Sequence, residues 1–401
     1  MKCGLSRALL GLCLAALASC GYFDPLNPPD PGPADRSITW ERALGGGNGS
    51  VARGVQQTSD GFLLFGTDEG NTSESDIWLV KTDGAGAELW SSAFGGAAEE
   101  IGRCLRPSPD GSYILVGSTR SVGAGGWDVY LVKTDADGSW RWGKTFGGSA
   151  DDHGWSVECI VDGYAIVGST ASFGDDDGDG YLIRVNGSGE LLWQKTFGGA
   201  NADEGYAVRN TSDGGFIIAG YTQASFAGDD NAWLVKADAN GNLVWEKVFG
   251  TIADSTADIP GCLEQGKDVL LTSDDGYLLA GYTHSLGAGE FDAWLIKTDD
   301  EGNKEWERTL GGEGWDQAEA VVLTADGGYA LAGMSRFRGD WKQAWLAKTD
   351  AAGNLEWDKR FGGIGDEWAY ALLQTPEQGY LLGGATTSHG GDMAYLVYYK
   401  P

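Results

Sequence analysis

From residue 37 onward the apolar and polar residues fall into short runs of strand length, not into the longer windows a helix needs. Residues 205–249 show the rule, containing GYAVRNTS, DGG, FIIAGYT, QASFAGDD, AWLVKAD, ANGN and LVWEKVF. Four of these runs are rich in β-branched and aromatic residues, and Asp-Gly or Asn-Gly turn chemistry separates them. No comparable window carries a 3.6-residue apolar period, so the pattern predicts an all-β protein.

The same order of runs returns seven times. A Trp-x-x-x-(Phe/Leu)-Gly element places Trp at 40, 90, 142, 193, 245, 306 and 357, with spacings of 50 to 52 residues and one of 61. Each element is followed by a Gly-rich loop, a small-residue strand, a turn, an apolar strand, a longer loop and another strand. Four antiparallel strands per unit, called A to D from the axis outward, predict a seven-bladed β-propeller. The termini fit a closed ring. The body starts with a lone D-type strand, ITWERAL, and stops at Ala394–Lys400 after a C-type strand. Residues 37–45 are therefore expected to complete blade 7, whose remaining strands come from residues 362–400. An open array would leave both pieces unpaired.

These residues carry a resemblance. The motif FGG…DGG-Y-x-x-A-G-x-T…D-x-W-L-x-K-T-D-x-x-G-N runs through about residues 37–400 and resembles the tandem propeller repeats of prokaryotic surface and secreted proteins. The resemblance implies the fold; it names no activity, because propellers host many. The Trp of the C–D hairpin also resembles the docking Trp of quinoprotein-type propellers, but no cofactor-binding residues of that group can be matched here.

Ahead of the repeats lies an address. Lys2 and Arg7 precede an apolar run from Ala8 to Ala18, about half of the ~20 residues a spanning helix needs. Residues 1–19 read as a signal peptide. The run ends in Leu17-Ala18-Ser19-Cys20, which resembles the lipobox of bacterial lipoproteins and implies lipidation of Cys20. No Asp follows Cys20, which favours the outer membrane over inner-membrane retention. Residues 20–36 hold five of the ten prolines and are expected to form an extended tether. Contact with the membrane is then through the N-terminal lipid alone, and the body is expected to be monomeric.

Charge narrows the partners. Against 58 Asp and Glu stand 28 Lys and Arg, a formal charge of −30, so a phosphate backbone is repelled and nucleic acid is not an expected partner. Once Cys3 and Cys13 leave with the signal and Cys20 is lipidated, only Cys104, Cys159 and Cys262 remain. Three allow at most one bridge, so the fold is no disulfide scaffold. Cys104 and Cys159 lie within reach of a bridge across neighbouring blades, but free thiols are the expectation.

A repeat separates residues shared by the blades from residues that differ. The seven strand-D Trp recur and read as packing between blades, as do Trp78, Trp233, Trp294 and Trp345 on strand C, where other blades have Tyr130, Tyr181 and Tyr395. A second column holds Glu100, Asp152, Asp203, Glu264, Asp316 and Glu367, with Ser50 in the remaining blade. It has two chemical uses: a carboxylate ring near the axis that collects cations, or acceptors for the N–H groups of each blade's own Gly-rich loop.

Strand alternation places the D→A and B→C loops on one face. Six Trp stand outside the repeat columns, Trp127, Trp140, Trp155, Trp315, Trp341 and Trp368, and all but Trp140 fall in or beside loops of that face. Blades 6 and 7 concentrate them around the basic stretch Arg336-Phe337-Arg338-Gly-Asp-Trp341-Lys342. Aromatic and Arg side chains dominate binding hot spots, and flat indoles suit the C–H faces of sugars. Trp315, Arg336, Phe337, Arg338, Trp341 and Trp368 are therefore the candidate ligand-binding residues.

Asp175-x-Asp177-x-Asp179-Gly180 has the 1,3,5 acid spacing and position-6 Gly of a calcium loop, although Ile183 and Asn186 stand at positions 9 and 12. Calcium and a solvated acidic loop are the two readings. His153, His284 and His389 fall in different blades, and no G-x-S-x-G, H-E-x-x-H or phosphate loop is present, so no catalytic residue is assigned. The favoured function is non-catalytic binding of an envelope polysaccharide or partner protein. The alternative is a glycoside hydrolase-like enzyme using acids at the channel mouth, since that chemistry needs only two carboxylates.

Overall fold

The computed structural model describes residues 38–46, 49–69, 74–175, 177–223, 230–250, 263–336 and 341–401. Among them, 28 strands form seven four-stranded antiparallel sheets, and no helix occurs. The chain is a seven-bladed β-propeller. Six sheets run A to D in chain order. The seventh is ordered Ile38–Leu44, Met393–Tyr399, Tyr380–Thr386, Glu367–Gln374, so the N-terminal strand completes blade 7. Trp40 lies opposite Tyr398 and Leu44 opposite Ala394 in that closing ladder.

Blades pack face to face. Strands B and C are buried almost throughout, and each hydrophobic cluster spans two blades, as where Ala165 and Val167 of blade 3 meet Val208, Phe216 and Trp233 of blade 4. The strand-D Trp of one blade leans on the aromatic residue that opens strand B of the next. Six of the seven junctions show this pair with ring centroids 5.7 to 6.4 Å apart, from Trp40–Phe62 to Trp357–Tyr380. The same indole also covers the next blade's C–D turn, where a Cβ on Gly302 would lie 2.7 Å from Trp245.

Two polar devices recur. Five strand-C lysines, 81, 133, 236, 297 and 348, reach back to the Asp of their own A–B turn at 2.8 to 3.0 Å. At all seven junctions an N–H at the start of strand A donates to a carbonyl of the preceding blade's B→C loop, as Asp316 does to Phe291 and Glu367 to Lys342. The D→A and B→C loops therefore share one face and stitch the blades together there.

Every strand A also carries a bulge at one position, between Gly102 and Cys104 in blade 2 and between Ala318 and Ala320 in blade 6. A bulge adds one unpaired residue and re-aims its side chain. Here that residue is the third after the column of acids.

Candidate binding site

The seven bulge residues, Arg53, Arg103, Trp155, Tyr206, Lys267, Glu319 and Tyr370, line a central cavity of 310 Å³. Up to the bulge strand A alternates, so the residue two earlier faces the axis as well. That second set includes His153, Glu204 and Trp368 and lies nearer the loop face.

Cations and aromatic rings interleave around the cavity. The Arg53 guanidinium lies 4.3 Å from the Tyr370 ring centre, Arg103 lies 4.0 Å from Trp155, and the Lys267 ammonium lies 3.9 Å from Tyr206 and 5.6 Å from Tyr282. Burial, with Arg53 beside it, pulls the Arg103 guanidinium down to about 9. Lys267 is lowered chiefly by burial, against the pull of Glu319 and Glu204. Burial raises Glu204, with Tyr206, Lys267 and Arg103 opposing.

On the loop face, from blade 5 to blade 7, stands a second aromatic group. Phe291 stacks on Trp315 with centroids 5.0 Å apart, and Tyr282 and His284 flank Phe291 at 5.6 and 5.1 Å. The Lys342 ammonium sits between two indoles, 5.0 Å from Trp315 and 4.9 Å from Trp368. The Arg336 guanidinium lies 5.6 Å from Trp315 and pairs with Glu290 at 3.1 Å. Trp341, which precedes Lys342, is 56% exposed. Such an arrangement offers flat apolar faces, fixed cations and one freely exposed indole.

Of the candidates read from the sequence, Trp315, Arg336 and Trp368 come together, with Trp341 beside them. Phe337 and Arg338 lie outside the described residues, as do Cys20, the signal peptide, the tether, Cys262 and the rest of residues 251–262, which fall within the one 61-residue spacing. The acidic column takes the second of its two uses. Its six carboxylates are at most 2% exposed. Glu100, Asp152, Asp203 and Asp316 each accept from the Gly N–H four residues earlier at 2.8 Å, and Glu367 does so at 3.2 Å. Glu264 accepts instead from Thr283 and from the Ser285 N–H. They cap loops; they do not form a ring at the axis.

In the acidic segment of blade 3, Asp179 is buried and accepts from the Asp175 N–H at 2.7 Å. Asp128 and Asp292 do the same in their blades, so Asp179 is a repeat residue that closes its own loop. Among the described residues no group of His, Cys, Asp or Glu is placed to hold a metal ion. Each histidine has local partners: His153 packs on Trp127 and meets Ser118, His284 packs on Phe291, and His389 meets Thr386. Cys104 and Cys159 are both free, and burial pushes the Cys159 thiol up to about 11.

The channel ring escapes a sequence reading that looks for function in loops. A signal exists all the same. Two residues after the acid every blade has Gly or Ala, and five after it every blade has Val or Leu, yet between them stand Arg, Arg, Trp, Tyr, Lys, Glu and Tyr. That column changes chemistry from blade to blade between two columns that do not.

Fold and site together define a closed seven-bladed propeller with a cation- and aromatic-lined axial cavity and a separate aromatic–cation cluster on its loop face. By sequence the chain matches no protein-family model and no curated protein. Among solved structures it is similar to the WD40 domain of Neurospora crassa Pan2, at 10% identity and a TM-score of 0.48, covering 75% of this chain and 89% of that one. Sqt1 from Chaetomium thermophilum aligns at 10% identity and 0.46 over 91% and 99%, and a puromycin hydrolase at 14% and 0.49 over 84% and 50%. At these levels the likeness concerns the propeller fold only.

Proposed function

We propose that this chain is an exported lipoprotein, anchored through Cys20, that binds an envelope polysaccharide on its loop face without transforming it. The observation that carries the reading is the Phe291–Trp315–Lys342–Trp368 cluster on the loop face. Aromatic faces held at fixed spacing match the flat C–H faces of successive sugar units, and the ammonium between the indoles fixes their separation. Each such cation–π contact contributes about 0.5–1 kcal/mol at a partly exposed site. The cluster is not a by-product of the fold: the equivalent strand-A positions in other blades carry Glu99, Asp151 and Ala202, or Ile101, Glu204 and Gln265.

The test is retention on a panel of immobilised envelope polysaccharides, with release of reducing ends measured alongside. Wild type should be retained on at least one polymer without hydrolysis. Trp315→Ala/Trp368→Ala, matched to wild type by circular dichroism, should be lost from it. Equal retention of both proteins contradicts the site. Turnover abolished by changing one carboxylate to its amide contradicts non-catalytic binding.

A further inference from the structure

We propose that Arg53 and Arg103 form an anion site in the axial cavity that takes the carboxylate of an acidic sugar. The class of ligand rests on the glycan-binding reading above, whereas the residues are separate from the loop-face cluster.

Around the axis the bulge residues of blades 7, 1, 2 and 3 run Tyr370, Arg53, Arg103, Trp155. Two cations stand side by side, each held on the aromatic ring at its outer flank, at 4.3 and 4.0 Å. Among the described residues neither guanidinium has a hydrogen bond or ion pair. Two other arginines of the cavity lining are paired, Arg106 with Glu158 at 3.6 Å and Arg209 with Asp268 at 2.7 Å. Lys267, also in the cavity lining, feels Glu319 and Glu204, and Glu204 acts on Arg103 as well, but no acid pairs directly with either arginine among the described residues.

Placing two guanidiniums side by side with no direct acid partner is unfavourable in itself and becomes favourable when an anion enters between them. In a chain of net charge −30 the arrangement is the reverse of what the surface composition supplies. Guanidinium forks match a carboxylate bidentately, and neighbouring forks converge on one such group. The cavity, at 310 Å³, is at the small end of ligand pockets, the size class of one sugar unit. Tyr370, Trp155 and Tyr206 give that unit flat walls, which a peptide carboxylate does not require.

The measurement is calorimetric titration of the whole chain, purified in detergent, with methyl glucuronide, methyl glucoside and an acetylated Asp-Glu dipeptide. Wild type should bind the glucuronide about tenfold or more tighter than the neutral glucoside. Arg53→Gln and Arg103→Gln should each lose about that factor for the glucuronide and leave the glucoside unchanged. Arg103→Lys, which keeps the charge and loses the fork, should fall between, which separates loss of the site from misfolding. Equal binding of acidic and neutral sugars, Gln variants that behave as wild type, or preference for the dipeptide would each overturn the proposal. Arginine-dependent glucuronide binding without retention on any polysaccharide would leave this site standing and remove the loop-face reading. The opposite pattern would do the reverse.

Discussion

Replacing Gly302 by Ala should destabilise the propeller more than replacing Gly327 by Ala, although both glycines occupy the left-handed region. Their φ values are +77° and +85°, so each Ala pays the same backbone strain, roughly 1–2 kcal/mol. Their surroundings differ. A Cβ at Gly327 meets nothing within 4 Å, whereas one at Gly302 lies 2.7 Å from the Trp245 indole of the preceding blade. That indole also packs on Tyr277 at 5.9 Å, which restricts its retreat. Overpacking of this kind costs about 1–3 kcal/mol. Gly327→Ala should therefore lose roughly 1–2 kcal/mol and Gly302→Ala roughly 2–5. Equilibrium urea unfolding, monitored by circular dichroism, gives both numbers. Trp245→Leu in the Gly302→Ala background should recover part of the loss, as a coupled pair requires. Equal losses at the two glycines would refute the claim that the turn is selected by an indole docked across the blade junction.

Other outcomes follow from the same geometry. Glu367→Ala should cost about 1–3 kcal/mol in the same assay, because it strands the buried Thr386 hydroxyl and removes the acceptor of the Gly363 N–H and the half-buried Ser388 hydroxyl. The Thr272 hydroxyl and then the Lys297 ammonium hold Asp274 at about 2, below its unfolded value, so these contacts stabilise above pH ~4 and the stabilisation is lost as pH falls toward 2. Asp274→Asn should accordingly be less stable than wild type at pH 7, by under ~1 kcal/mol for so exposed a carboxylate, with the gap closing by pH 2. Deleting residues 37–45 uncovers the edge of Met393–Tyr399, and the expected result by light scattering is association where the whole chain stays monomeric.

The fold was legible because its instructions repeat. Seven Trp at near-constant spacing, turn dipeptides in register and a stray D-type strand at the start specify blade number, strand order and closure without any long-range inference. The capping role of the acidic column was legible as one of two uses; choosing between them needed the strand's facing, which puts Glu100 and Gly102 on the side away from the axis. The channel ring was hidden by the bulge. Two-residue alternation predicts the facing of a strand only while pairing is regular, and one inserted residue shifts everything after it. Nothing in GRCLRP marks where that slip falls. The loop-face cluster was half legible, since Trp315, Trp368 and the basic stretch stand out in the sequence. The insertion of Lys342 between the two indoles depends on the junction bond from Glu367 to the Lys342 carbonyl, which only the ring geometry creates.

The central claim is that the loop face binds a polysaccharide through Trp315 and Trp368. Titrating the whole chain with the best-retained polymer, and repeating with Trp368→Ala alone, tests it most directly. The expected result is at least a tenfold rise in Kd, the order of a truncated aromatic hot spot, with the urea midpoint unchanged. An unchanged Kd in a folded variant would contradict it.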